Sequence, residues 1–335
     1  MSHIGPARAM LLGAERGDGV AQRHDLTAQI GANKRRTVYL MAGFLVLVAA
    51  AVVAFDVAFR FGPAFIVIAF VIAIAFVWWS YFYSDRITIA AARGKEADPN
   101  EYRQLHDIVE ELCIGVGLPK PRIYIVDDPA PNAFATGRNP AHAAVAVTTG
   151  LLQIMNRTEL EGVLAHELSH VHNYDILIST IAVTLVGFIA LLSDFGLRLL
   201  LFGGLGGRDR NGGDSEATIF ILAFALIFII LAPIGATLMQ LAVSRRREAL
   251  ADVSGVYITR NPQGLISALE KLKASSTVVQ HAPAATAHMW IASPLQKEAK
   301  DAHGWFNRLF ETHPPLDDRI AALQEVAGTI PPATA

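Results

Sequence analysis

Five consecutive residues, His166-Glu167-Leu168-Ser169-His170, hold the side chains in this chain best suited to chemistry. On a helix the two imidazoles, four residues and just over one turn apart, project from the same face with Cβ atoms about 5–6 Å apart. Imidazoles at that separation can share one zinc ion at roughly 2.0–2.1 Å each. Glu167 is turned about 100° around the axis from His166, which puts its carboxylate beside such an ion and not on it, where it can accept a proton from an attacking water. His172 falls on roughly the opposite side and is excluded as a ligand. The pattern is short, and an amphipathic helix with surface His and Glu would display it too.

The chemistry therefore needs a further donor. A catalytic zinc held by two His commonly takes a Glu as third protein ligand and keeps its fourth position for water. Glu248-Ala249-Leu250-Ala251-Asp252 offers two carboxylates at i and i+4 on one helical face, and Glu248 is the candidate ligand. Asp252, one turn on, is placed to accept the other ring N–H of a ligand His and fix its tautomer. The plainer alternative is that both carboxylates pair with the preceding Arg245-Arg246-Arg247.

Several elements must position these groups. The zinc helix is expected to open at Thr158, with Glu161 completing a capping box. Before it, residues 98–112 carry a helical pattern stopped by Gly115, Gly117 and Pro119, residues 122–126 read as a strand, and 127–132 as a turn-rich loop. Residues 143–149 read as a second strand closed by Gly150. That strand is either an edge on which an extended substrate can pair or an internal strand. Together these make a small α+β unit.

Composition sets the surroundings. With 53% hydrophobic residues and mean hydropathy +0.38 over 335 residues, the chain calls for membrane spans. A net charge of -2 argues against nucleic-acid binding. The single cysteine, Cys113, excludes an intramolecular disulfide and fits a reducing compartment. Apolar segments at 38–59, 64–83, 176–202 and 218–243 are each long enough to cross about 30 Å of hydrocarbon. Trp78, Trp79, Tyr81 and Tyr83 close the second at an interface. The third, expected to end near Leu192, contains Asp194 and Arg198 at i,i+4 spacing, and the fourth is interrupted by Pro233 and Gly235. A short-cored secretory signal does not fit the long polar stretch that precedes residue 38.

The expected organisation is a polar tail (1–37), a transmembrane hairpin (38–83), a first catalytic half with the zinc helix (84–175), two further spans (176–243) and a second catalytic half (244–335). The fold class is a mainly α membrane protein, four transmembrane helices with a zincin-like α+β catalytic domain at the membrane surface. Residues 274–304 are Pro- and Ala-rich and read as a mobile flap, with Met289, Trp290 and Trp305 as apolar contacts. Within that flap, His281, His288 and His303 are assigned solvated or core roles, and His142 is assigned none. Coordination constrains topology, because His170 precedes the third apolar segment and Glu248 follows the fourth, so the two must return to one face. Lys34-Arg35-Arg36 and Arg245-Arg246-Arg247 place that face in the cytoplasm.

Four blocks in order resemble the HtpX-type integral-membrane zinc endopeptidases, relatives of the CAAX-prenyl endopeptidases. They are the zinc motif, Ser244-Arg245-Arg246-Arg247-Glu248 to Asp252, the Asn132-Ala133-Phe134-Ala135-Thr136-Gly137 loop, and His313-Pro314-Pro315 to Arg319-Ile320, within residues 38–325. The resemblance implies one zinc on His166, His170 and Glu248, a catalytic Glu167, and substrate-contacting or transition-state-stabilising roles for Asn132 and His313. Arg319 is a fallback donor, with an ion pair to Asp317 or to a neighbouring helix as its ordinary role. The resemblance also implies a multi-pass protein of the bacterial inner membrane whose cytoplasm-facing site degrades misfolded or damaged membrane proteins, with the lipid bilayer and unfolded polypeptides as partners and no nucleic acid. Residues 1–37 lie outside the resemblance. Two other classes remain: a non-catalytic zinc sensor or scaffold, and a transporter centred on Asp56 and Asp194. Both are disfavoured, since a closed structural site needs four protein ligands and no fourth is evident.

Overall fold

The computed structural model describes residues 19–59, 62–198, 245–275, 277, 279, 289–292 and 314–328. It is mostly helical with one four-stranded sheet. Three long helices, α1 (Gly19–Phe59), α2 (Pro63–Ala91) and α6 (Asp175–Arg198), pack around Phe44, Val77, Ile181 and Leu185. The opposite side of α2 is also apolar and leaves Val67, Ile68, Val71, Ile72 and Trp78 exposed. A helix apolar on every side is stable only within other apolar matter, protein or lipid. Among the described residues α2 is the one single helix long and apolar enough to cross a membrane; the bent pair Arg157–His172 and Asp175–Ile189, folded by 82°, would count as a second. The segment 218–243 and most of the glycine-rich loop before it lie outside the described residues.

Two features of this region differ from the sequence expectation. The stretch expected as a tail is helical from Gly19, and Asn33 and Thr37 are buried, because the polar start of α1 packs on the rest of the fold, with Asn33 bonded to Asn173 and Asp175. Asp56 lies in the last turn of α1, and its Oδ1 accepts the Gly62 N–H at 2.7 Å just before α2 begins, so the carboxylate serves the connection between the two helices.

The sheet contains β1 (Lys95–Glu96), β2 (Arg122–Val126), β3 (Ala133–Gly137) and β4 (Ala143–Thr148) in the order β1-β2-β4-β3. β4 is thus internal, parallel to β2 and antiparallel to β3, and the edge reading of residues 143–149 is corrected. Its alternation explains why it is central. Val145 and Val147 enter the main core, while Ala144 and Ala146 face a second cluster with Phe134, Val183 and Trp290, so both faces of the strand are buried. The segment expected as a loop, Asn132 to Gly137, supplies the edge strand β3.

α3 (Arg103–Val116) starts five residues later than the pattern implies, since Asp98 accepts the Asn100 N–H in a local turn, and ends on Gly117 at φ 68. A short helix α4 (Thr149–Ile154), capped by Thr148, intervenes before α5 (Arg157–His172). The cap of α5 is Asn156 and its capping-box partner Glu159, two residues before the expected Thr158 and Glu161. The spacing is the same, and Asn is the stronger cap. α7 (Arg245–Thr259) and α8 (Pro262–Ala274) pack on α5, and α9 (Leu316–Ala327) closes the core through Ile320, Leu323 and Val326.

Candidate metal centre

α5 is buried along most of its length, and it delivers His166, Glu167 and Ser169 into the interior at 0%, 2% and 1% exposure. Burying that many polar groups is costly unless each is partnered. Ser169 donates to the Ala165 carbonyl one turn back, whereas His166 is met by groups from distant elements. α7 crosses α5 at Gly255, where the absence of a side chain lets the backbones meet, and this brings Glu248 over the two imidazoles. Glu248 Oε2 lies 3.8 Å from His166 Nε2, Oε1 lies 3.5 Å from His170 Nε2, and the two Nε2 atoms are 3.3 Å apart. One donor atom from each of His166, His170 and Glu248 falls within 4.8 Å of the others.

Each imidazole is held from behind. His166 Nδ1 is 2.9 Å from Asp252 Oδ1, one turn after Glu248 on α7. Asp252 is clasped by Arg319 of α9, whose Nε donates to Oδ2 at 2.9 Å and Nη2 to Oδ1 at 2.6 Å. Arg319 Nη1 donates to the Ile291 carbonyl at 3.0 Å. His170 Nδ1 is 3.1 Å from Asp175 Oδ2 at the start of α6. With both Nδ1 atoms engaged by carboxylates, both Nε2 atoms are left to face inward, which is the arrangement that orients a metal-ligating imidazole. Two neutral-capable nitrogens and one carboxylate suit a zinc-like ion, so the residues fit the group that the motif implies.

The chain's own charges act differently on the two rings. Burial pushes His166 down to about 4, outweighing the pull of Asp252, and Arg319 and His170 add a smaller push in the same direction. Burial also opposes protonation of His170, but Glu248, Asp175 and Glu167 outweigh it and hold the ring at about 9. Burial would raise Asp252, yet Arg319 and His166 keep it at about 2. The Arg319 guanidinium is raised further above its ordinary value, burial being overcome by Asp252. Asp252 is thus ionised and ready to accept hydrogen bonds.

The other residues singled out in the sequence fall as follows. Asn132 is buried at the head of β3; its Nδ2 donates to the Ala292 carbonyl at 2.7 Å and its Oδ1 accepts the Ala292 N–H at 3.1 Å. The neighbouring Ile291 N–H donates to the Ala133 carbonyl at 3.0 Å, and Trp290, fully buried, meets Phe134 edge-on at 4.6 Å. Residues 289–292, expected within a mobile flap, are in this way fastened to the edge strand. His313, His281, His288, His303 and Trp305 lie outside the described residues, as do the side chains of Asp194 and Arg198. Arg319 pairs with Asp252 on a neighbouring helix, while Asp317 pairs with Lys273. Sequence reasoning missed Asp175 and Asn33, whose Nδ2 donates to Asp175 Oδ1 at 2.7 Å. The only signal for Asp175 was a carboxylate standing between the second His and an apolar run; Asn33 had none.

Two imidazoles and a carboxylate gathered where two helices cross form the donor set of a metalloprotease. The sequence agrees: peptidase family M48 matches residues 99–327, and the chain belongs to that family. Its relatives include the protease HtpX homologue of Streptococcus gordonii, 44% identical over 302 residues, covering 90% of this chain and 100% of the relative. The homologue from Caldanaerobacter subterraneus subsp. tengcongensis is 41% identical over 294 residues, 88% of this chain and 95% of its own. That from Desulfatibacillum aliphaticivorans is 48% identical over 263 residues, 78% and 81%. The crystal structure of S. mikatae Ste24p superposes with a TM-score of 0.44 at 19% identity, over 89% of this chain and 66% of that one.

Proposed function

We propose that this M48 metalloprotease is a zinc endopeptidase of the membrane whose ligands are His166, His170 and Glu248. The observation that carries the reading is the convergence of those three donors, with both imidazole Nδ1 atoms fixed by carboxylates. Among the described residues the cluster has three donors, the number typical of a catalytic zinc and one short of a structural one. Zinc, when bound, supplies a Lewis acid that polarises a peptide carbonyl and acidifies water.

The chain's own residues do the remainder. Glu167, adjacent to the ligand His166 and buried, is the general base that takes a proton from the attacking water and can pass it to the leaving amine. Asp252, ionised and locked by Arg319, holds His166 by its Nδ1; Arg319 thus acts through Asp252. Asn132 and His313 contact the substrate or the developing oxyanion. Asn132 commits one amide hydrogen to Ala292, and among the described residues its second is left to meet a substrate carbonyl.

In this reading four segments span the bilayer. The ligands that flank the third and fourth apolar segments can meet only if those segments both cross the bilayer or both dip into it, and the reading takes both to cross. The exposed Lys34, Arg35 and Arg36 mark the side of the metal centre as cytoplasmic. Substrates are unfolded or damaged polypeptides, membrane proteins among them, the homologues being HtpX proteases. Cleavage of a casein-like unfolded substrate by the purified protein, abolished by a chelator and restored by zinc, is expected; chelator-resistant cleavage, or none with zinc present, would refute the assignment.

A further inference from the structure

His170 is held differently from His166. Asp175, the carboxylate behind it, stands five residues further on, just past the bend where Tyr174 adopts φ 59, and is 4% exposed. A carboxylate at the first residue of a helix can turn about its own side-chain bonds, so its second oxygen must also be fixed if it is to fix the ring. Asn33 does this from α1, 142 residues away in sequence. Its Nδ2 donates to Asp175 Oδ1 at 2.7 Å and to the Asn173 carbonyl at 3.0 Å, using both amide hydrogens. Both partners are acceptors, so the amide can stand only one way round. That orientation leaves Asn33 Oδ1 buried without a hydrogen bond among the described residues, a cost an apolar side chain would avoid. The position therefore requires a donor. Arg247, next to the ligand Glu248, brings its Nη1 to 3.8 Å from the same Asp175 oxygen.

We propose that Asn33, acting through Asp175, is a positioning residue for the metal ligand His170, so that α1 is part of the metal centre as well as part of the helical bundle. This rests on the zinc reading given above. Asn33 locks the carboxylate, the carboxylate locks the Nδ1 proton and the ring plane, and Nε2 is presented toward Glu248. The polar stretch ahead of the first apolar span thereby contributes to the chemistry.

The test uses full-length protein in detergent. Zinc dissociation constants are measured by competition with a chromophoric chelator, and Co²⁺-substituted samples give a d–d absorption spectrum sensitive to ligand geometry. Asn33→Asp, which replaces the donor by an oxygen facing Asp175, is expected to weaken zinc about 10- to 100-fold and to alter the Co²⁺ spectrum. Asn33→Leu, nearly isosteric, which removes both amide hydrogens without adding charge, carries the same expectation should the aspartate variant fail to fold. Thr37→Val, one turn on in α1 and equally buried, leaves both readouts unchanged. Wild-type affinity and spectrum in the Asn33 variants would overturn the proposal, as would an equal loss in Thr37→Val, which would assign the effect to helix packing. Glu248→Ala separates the two levels: it loses zinc if the metal reading holds, and stoichiometric zinc retained there would overturn that reading itself.

Discussion

Gly255 and His166 touch through their backbones: a Cβ built at Gly255 would stand 3.0 Å from the His166 nitrogen and 3.2 Å from its Cα. The helix that carries Glu248 and Asp252 is therefore seated directly on the helix that carries both imidazoles, and a methyl group is enough to separate them. Gly255→Ala is expected to displace α7 by a few tenths of an ångström, weakening zinc and lowering turnover together while the far-ultraviolet circular dichroism is retained. Native metal affinity in that variant would show that the helices give way without disturbing the site.

Glu167 is assigned proton transfer and no share in coordination. Glu167→Gln should keep one zinc per chain and the wild-type melting temperature while turnover falls at least about 100-fold, the low end for general acid–base catalysis. Metal content and single-turnover cleavage, measured on the same preparation, decide it; a loss of zinc would move Glu167 into the ligand set.

The Asp252–Arg319 pair is fully enclosed, at 4% and 3% exposure. Removing one member of such a pair leaves a buried charge unpaired, so Arg319→Met should destabilise the fold by about 3–5 kcal/mol. Asp252→Leu combined with Arg319→Met should recover stability in denaturant titrations but leave zinc weakened, since His166 loses its Nδ1 acceptor. Recovery of zinc affinity in the double variant would show that Asp252 serves packing alone.

Burial pushes the Cys113 thiol up to about 11. At pH 8 only about one molecule in a thousand then carries the reactive thiolate, so the native cysteine should be silent to maleimides until the protein is unfolded. Cysteines introduced elsewhere can accordingly report topology without a cysteine-free background. Lys95→Cys, on the exposed strand β1, is expected to resist an impermeant reagent in intact cells and to react once they are opened. Labelling from outside would place the catalytic domain on the other face of the membrane.

Much of the site was written locally. Four-residue spacing puts His166 and His170 on one face of any helix, and Glu167 beside them, whatever the rest of the chain does. The i,i+4 relation of Glu248 and Asp252 is equally a property of helical geometry, and the structure uses both, one toward the Nε2 atoms and one on His166 Nδ1. The long apolar runs of α1 and α2 are composition read over some twenty residues, and composition does not depend on partners.

Pairing across distance was decided by the tertiary structure. Whether residues 143–149 lie at an edge depends on which strands flank them, and the flanking β3 comes from a stretch whose small residues look like a loop until β4 offers it hydrogen bonds. The shift of the α5 cap from Thr158 to Asn156 was a choice between two legitimate capping boxes that the chain entering from α4 settles. Asn33 and Asp175 have ordinary identities and no spacing relation to one another; their meaning arises only where α1 and the bend before α6 come together. Helical periodicity is a short-range rule carried by the sequence itself, whereas the hydrogen bonds that lock a buried carboxylate require groups 142 residues apart to be brought within 2.7 Å.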